Sequence, residues 1–440
     1  MANQVTIPLY EDIINGFKDA ASENETVRSA RKKALESFKK LGFPTRRNED
    51  WKYTPVAPYL QDHYHVNGVG KAYHIPQDLL KEVSVPGMDC YPLLIINSQL
   101  QPLQKELPSF VKVSTIKEAQ QNPDFAQHFS QNTDTEHEPF AAMNTALFAN
   151  GLFLQIAANA VVDKPLHIVH VFTADSNLLT QPRHMVIVQR SASVSIIESV
   201  VSNNEQAKIF VNTLTEVFIE ENAVVDHYTL QTAKSGTRLI THTEVSQKRH
   251  SLYNNFTFSL PSADLIRNNL HLSLNEPETE SHLYGLYLGT GNQLMDNHTL
   301  VNHKMPNCNS NEIYKGVLAD NATGVFNGKI FVQHDAQKTN AFQQNNNLLL
   351  GNKATINSKP QLEIFADDVK CSHGSTVGQL STEAMFYLQS RGIGEQAAKA
   401  LLINAFAFDV TEKIKIPLLQ KHINKLIARH IPVHEKGSSC

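Results

Sequence analysis

A chain of 440 residues, 41% hydrophobic and 19% charged, can build a large interior and lacks the charge excess of a disordered protein. Its formal net charge of −4 excludes the concentrated Lys/Arg surface that binding a phosphate backbone demands, so nucleic acid is not an expected partner. No run reaches the ~18 apolar residues of a membrane span, and Met1 to Tyr10 carry no basic-then-apolar leader, so a cytoplasmic protein with no membrane partner is expected.

The first periodic segment, Tyr10 to Leu41, spaces Ile13, Ile14, Phe17, Val27, Ala30, Ala34, Leu35 and Phe38 among charges and stops at Gly42-Phe43-Pro44. One or two amphipathic helices are predicted there. Arg46 to Pro55 holds the single tryptophan, Trp51; it is polar and ends in proline, which predicts an ordered surface connection. A strand is predicted at Leu93 to Ile96, a helix near Ser114 to Ser130, and a short helix at Phe140 to Phe148 before the turn signal Asn150-Gly151. Residues 1–150 thus read as a mainly helical N-terminal domain.

Between Leu152 and Gly378 the 3.6-residue pattern disappears. Short β-branched or aromatic runs recur instead, among them Leu166 to Phe172, Met185 to Val188, Ser193 to Ile197, Asn212 to Ile219, Thr237 to Val245 and Leu362 to Phe365, separated by Asn, Gly, Asp and Ser. Residues 151–380 are therefore predicted as an all-β core. A sandwich of so many strands would be large, whereas a solenoid adds rungs one at a time and buries each against its neighbours, so length favours a solenoid and leaves a sandwich as the alternative. The Asn-rich stretch with Asn345-Asn346-Asn347 suits left-handed corners and stacked ladders. No fixed short repeat emerges from Gly316-Val317-Leu318, Gly324-Val325-Phe326 and Gly328-Lys329-Ile330, so the coils must vary in length.

Helical signals return in residues 381–440. Ser381-Thr382-Glu383-Ala384 reads as a cap and helix start, Gly392 closes that helix beyond Arg391, and a second helix runs from about Gly394 to Phe408 with Ala397, Ala398, Leu401, Leu402, Ala405 and Phe406 as its apolar stripe. A third, Ile414 to Ala428, presents Ile416, Leu419, Ile423 and Leu426.

Cys90, Cys308, Cys371 and Cys440 are scattered, with no CxxC pair, so neither a disulfide framework nor a self-contained metal site is indicated. The segment Ala366 to Thr376 is the most informative. In a regular strand Cys371 and His373 project from one face about 6.6 Å apart, and thiolate and imidazole both suit iron. A cluster generally wants four ligands, so the rest must come from another chain. Asp367 and Asp368 could be offered as the acid/base pair of a carbohydrate-acting β-helix enzyme, yet neighbours in a strand face opposite sides. His298 with His303, and His63 with His65, lack a third ligand at suitable spacing and read as turn or surface histidines. No GxxxxGK[ST] phosphate loop occurs.

Several stretches together resemble the SufB/SufD family of the SUF iron–sulfur cluster assembly machinery. They are Arg47 to Thr54, Phe140 to Pro165, Phe326 to Ile330, Asn345 to Gly351 and Lys359 to Ile364, and Asp367-Asp368-Val369-Lys370-Cys371-Ser372-His373-Gly374 has the SufD form. The resemblance implies a mainly β protein. Its core would be a right-handed parallel β-helix flanked by an N-terminal α/β or helical domain and a C-terminal helical domain. It further implies a non-catalytic scaffold that pairs with a SufB-type paralogue, or with itself when that partner is absent, and docks a SufC-type ATPase on the C-terminal helices. His373 and Cys371 would face a cluster-assembly site shared with the partner, with iron or an iron–sulfur cluster passing through and no cofactor tightly held by this chain alone. Asn345 stands where SufB carries a cysteine, so the principal sulfur acceptor is expected elsewhere. Tyr387, Arg391 and Gly392 are expected at a partner interface.

Overall fold

The computed structural model describes residues 7–17, 23–66, 75, 77–203 and 206–430, so Cys440 and the start of the Met1 to Tyr10 segment lie outside the described residues. The chain opens with α1 (Pro8–Gly16), α2 (Glu25–Leu41), β1 (His65–Val66), α3 (Gln77–Val83), β2 (Tyr91–Ile96), β3 (Gln99–Leu100), β4 (Val111–Thr115), α4 (Ile116–Ala119), α5 (Pro123–His128) and α6 (Pro139–Leu147). Strands then follow without intervening helices: β5 (Leu152–Ile156), β6 (Leu166–Thr173), β7 (Leu178–Thr180), β8 (Arg183–Val188), β9 (Ser193–Asn203), β10 (Ile209–Ile219), β11 (Val224–Gln231), β12 (Thr237–Gln247) and β13 (Leu252–Ser259). The run continues with β14 (Leu265–Leu274), β15 (Glu280–Gly289), β16 (Leu294–His303), β17 (Asn309–Leu318), β18 (Thr323–Val332), β19 (Asn340–Leu349), β20 (Thr355–Ile364) and β21 (Lys370–Gly378). Helices α7 (Thr382–Ser390), α8 (Glu395–Thr411) and α9 (Pro417–His430) close the chain.

From β8 onward successive strands alternate between two sheets, and from β10 onward each pairs in parallel with the strand two places back. One sheet runs β20-β18-β16-β14-β12-β10-β8-β5-β4 and the other β21-β19-β17-β15-β13-β11-β9-β6-β2-β3. This is a β-solenoid: it has the two layers of a sandwich, but from β8 onward every connection crosses between them. Val224 pairs with Leu252, Leu252 with Glu280 and Glu280 with Asn309, steps of 28, 28 and 29 residues, while Arg238 to Leu265 is 27 and Thr323 to Thr355 is 32. Coil length varies, which is why no short repeat shows in the sequence.

Inward side chains such as Ile196, Val225, Tyr253 and Leu283 from one sheet and Val217, Val245, Leu272 and Val301 from the other form the central core. Corners are built by left-handed residues stacked one per coil: Asn159, Ser191, Asn222, His250, Glu278, Asn307 and Lys338 all have φ between 56° and 63°. Backbone hydrogen bonds link them along the stack, Ser191 N to Glu221 O at 2.8 Å and Asn307 N to Gln337 O at 2.9 Å. Three of these seven corners are Asn, whose short polar side chain tolerates this conformation. Asn345-Asn346-Asn347, by contrast, lies within β19 and not at a corner.

Each sheet's outer face has its own cover. Phe210, Ile240, Leu265, Leu294 and Val325, one from each consecutive strand of the first sheet, meet Leu9, Phe38 and Phe140 of the N-terminal helices. On the second sheet Tyr228, Phe256 and Tyr284 stack at 4.6 and 4.9 Å, and Ile403, Ala407, Val410, Leu419, Ile423 and Ile427 of α8 and α9 pack over them. The buried stripe of α8 is thus Ala398, Ile403, Ala407 and Val410, rotated from the expected one, which leaves Ala397, Leu401 and Ala405 exposed.

The expected connection does run along the surface, but Trp51 and Thr54 within it are buried and anchor it. Trp51 is 3% exposed because its ring lies 3.7 Å from the Arg267 guanidinium of β14. Arg267 donates to the Asp50 carbonyl at 2.8 Å and to Asp296 at 2.6 Å, and Thr54 donates to the same Asp296 oxygen at 2.5 Å. Glu49 reaches Lys359 of β20 at 2.6 Å. Trp51 and Thr54 are buried here, within an otherwise exposed polar segment, because strands more than two hundred residues away meet them.

The Asn150-Gly151 turn has a steric cause as well, since a Cβ on Gly151 would fall 1.5 Å from the Arg183 carbonyl oxygen. Backbone cannot step aside as a flexible side chain can. Gly151→Ala is therefore expected to cost about 2–3 kcal/mol, read as a lowered urea midpoint at unchanged slope. A midpoint within error of the parent would show that β5 and β8 can separate freely.

Candidate functional site

Both sheets stop at an uncapped rung. β20 ends the first and β21 the second, and among the described residues each pairs with a neighbour on one side only. Burial falls accordingly: β16 and β18 are mostly buried, β20 is half-buried, and β21 is almost wholly exposed. Phe342, Ile364, Phe365 and Val377, at 47%, 39%, 58% and 54%, add large apolar groups to this end. Unpaired backbone groups beside exposed Phe, Ile and Val make a surface suited to continuation by another chain.

Cys371 and His373 both lie on β21, opposite Ala341 and Gln343 of β19. They share a parity, yet they differ in access. Cys371 is half-buried and packs against the small cluster of Ile330, Val332, Ala336, Ala341 and Ala366, and burial pushes its thiol up from the usual range, against a backbone hydrogen bond at Ala341 that acts in the other direction. A neutral thiol is a weak ligand and nucleophile. His373 is exposed at the open end. The edge therefore offers one accessible imidazole and one partly sheltered thiol, short of the four ligands that a cluster takes.

Behind His373 its row continues inward through Gln343 and Glu312 in register. Gln343 donates to Glu312 at 2.7 Å, and burial raises the Glu312 carboxyl to about 7. The same interior holds Asn345, which is fully buried; its amide nitrogen reaches the Tyr287 hydroxyl at 3.2 Å and the Tyr314 carbonyl at 3.3 Å, while its oxygen accepts from Asn347 and Ser358. Glu312 escaped sequence reasoning because a lone glutamate in a strand pattern reads as an outward residue. Only the register assigns it to the interior.

Tyr387 and Arg391 sit together at the end of α7, with the guanidinium 5.3 Å from the ring. Gly392 follows with φ of 83°, a left-handed stop that favours glycine. Beside them Phe386 is 73% exposed, Leu401 50% and Phe408 51%, and α7 has no buried residue. Large apolar side chains thus stand exposed on both α7 and α8.

Other expectations change. Asp367 and Asp368 lie in an exposed bend before β21, where Asp368 accepts from Lys338 N at 2.6 Å, so strand parity does not govern them. His298 and His303 are not surface histidines: they are 8% and 0% exposed, on opposite faces of β16. His298 joins the Arg267–Asp296 anchor, and His303 meets Ser310 at 2.9 Å inside the coil. Cys90, Cys308 and Cys371 are free thiols. Among the described residues no helix is long and apolar enough to cross a membrane.

Comparison with known proteins agrees with this architecture. Residues 170–406 match the family described as SUF system FeS cluster assembly, SufBD core domain, and residues 2–168 match the SufBD protein N-terminal region. An iron–sulfur cluster assembly SufBD family protein of Synechocystis sp. is 31% identical across 94% of this chain and 92% of its own length. The iron–sulfur cluster assembly protein SufD of Escherichia coli is 29% identical across 90% and 92%, and that of Bacillus subtilis 24% across 96% and 98%. A β-solenoid with an open end, matched along nearly its whole length, places this chain in the SufBD family of iron–sulfur cluster assembly proteins.

Proposed function

We propose that this chain is a non-catalytic scaffold that pairs through its β20–β21 end with a SufB-type paralogue and carries a SufC-type ATPase on α7 and α8. The open, apolar end of the solenoid is the observation that supports this reading most directly, because an isolated rung of this kind leaves backbone groups and large side chains without partners. When the paralogue is absent, the same end can pair with a second copy. His373 is the main ligand this chain offers to iron or an iron–sulfur cluster in transit, and Cys371 is secondary because its thiol is sheltered and protonated. Remaining ligands come from the partner. ATP hydrolysis by the docked subunit changes the exposure of the shared site, since contacts that differ between two states are the means by which a ligand shifts an equilibrium.

Co-expression with SufB-type and SufC-type partners tests the assembly, and failure to purify a three-component complex refutes it. Within that complex His373→Ala is expected to fold and co-purify normally while anaerobic cluster reconstitution falls at least tenfold. Unchanged reconstitution removes His373 from the site.

A further inference from the structure

Away from the open end, three ligating side chains converge on the outer face of the first sheet. His242 and Glu244 are two residues apart on β12 and therefore project to the same side, while His271 of β14 stands opposite Glu244 in register. His242 Nε2 lies 2.6 Å from Glu244 Oε1, and His271 Nδ1 lies 3.2 Å from that same oxygen. The two imidazoles are nearly perpendicular, with centroids 4.7 Å apart and planes at 80°, so nitrogen-bearing edges, not ring faces, approach the carboxylate. One donor atom from each residue lies within 4.8 Å of the other two.

The surroundings separate this triad from an ordinary buried ion pair. Glu216, the register neighbour of Glu244 on β10, is neutralised by the Arg183 guanidinium at 2.6 Å. The ion-pair partners of Glu244 among the described residues are the two imidazoles alone. His242 and Glu244 are 2% and 7% exposed, whereas the His271 side chain keeps 19% of its surface, which gives solvent one way in. Donors about 2.0–2.2 Å from a common ion are separated by roughly 3–4 Å, so modest side-chain rotation closes the triad on one centre. Two imidazoles and a carboxylate form a donor set used for Zn²⁺ and Fe²⁺ that leaves coordination positions open.

We propose that His242, Glu244 and His271 bind one divalent transition-metal ion of the Zn²⁺/Fe²⁺ class. Three strands, β16, β18 and β20, lie between this site and the end of the sheet, so it is separate from His373 and Cys371 on β21. Its protein ligands all come from this chain, whereas the open end needs a partner.

The test uses Co²⁺ as an optical probe on the full-length, chelator-treated chain. A visible d–d band saturating at one ion per chain and displaced by Zn²⁺ is expected. Glu244→Gln and His271→Ala should each weaken Co²⁺ binding by about 10–100-fold or more, and His373→Ala and Cys371→Ala should leave it unchanged. Zn²⁺ should also raise the thermal midpoint of the parent but not of His271→Ala, whose partly exposed site tolerates truncation. Failure of the parent to bind one equivalent, or loss of the band on His373→Ala instead of His271→Ala, overturns the proposal.

Discussion

Arg267→Ala is expected to destabilise the protein by about 3–5 kcal/mol, because it leaves the Asp296 carboxylate buried without its guanidinium and strips the face on which Trp51 rests. Asp296 is wholly buried. The loss exceeds that of a surface ion pair, about 0–1 kcal/mol, since neither partner has water to fall back on. Trp51→Ala should cost a similar amount through lost packing, and the two effects should add to less than their sum because both act through one contact. Replacing the pair together, Arg267→Met with Asp296→Asn, removes both formal charges from the interior and should recover part of the loss. Equilibrium unfolding in urea measures all four variants, and an Arg267→Ala penalty below about 1 kcal/mol would show that the anchor is not what fixes the N-terminal segment. The segment also bonds Lys359 of β20 and Asn327 of β18, so its detachment should weaken co-purification with the proposed paralogue.

That anchor marks the boundary of what the sequence reveals. Local patterns located the strands, since β-branched runs such as Leu166 to Phe172 and Thr237 to Val245 fall within β6 and β12, and Ser381 does cap α7 by accepting from Ala384 N at 3.1 Å. The coil period stayed hidden because its steps run from 27 to 32 residues and many inward positions are polar, Asn255, Asn268 and Asn345 among them, which breaks the apolar alternation. The stripe of α8 was misplaced for a related reason: the helix is apolar on two sides, one spent on the second sheet and one left outside. Trp51, His298 and Glu312 owe their burial to residues distant in the chain, and no window of sequence contains both halves of such a contact. Parity did place Cys371 and His373 on one face. Their unequal access depends on the cluster around Ala341 and Ala366, which only the rung below supplies.

Acidification from pH 7 to 5 is expected to destabilise the isolated chain. Burial lowers His184 and His303 to about 3 and His167 to about 4, so all three stay neutral in the folded protein while the unfolded chain protonates them near 6.5. The unfolded state then binds more protons, and stability falls as pH drops below that value. Glu312 works in the opposite sense: with its carboxyl raised to about 7 by burial, the folded state holds a proton that the unfolded state releases above about 4.5. His271, raised by Glu244 against the cost of burial, opposes the trend more weakly. The three histidines less Glu312 leave about two protons, or roughly 2.7 kcal/mol per pH unit between about pH 6 and 5, and His422 and His430, also lowered by burial, act in the same direction. Below about pH 4.5 the buried Glu198, held well below its usual range by His170 and His227 in spite of burial, and Asp296, held low by His298 and Arg267, add to the loss. Urea midpoints measured at pH 7, 6 and 5 check the slope, and His303→Gln should reduce it by about one proton because it removes one of the three imidazoles that burial holds neutral. A midpoint independent of pH across that range would mean that water reaches the interior of the solenoid and protonates these histidines in place.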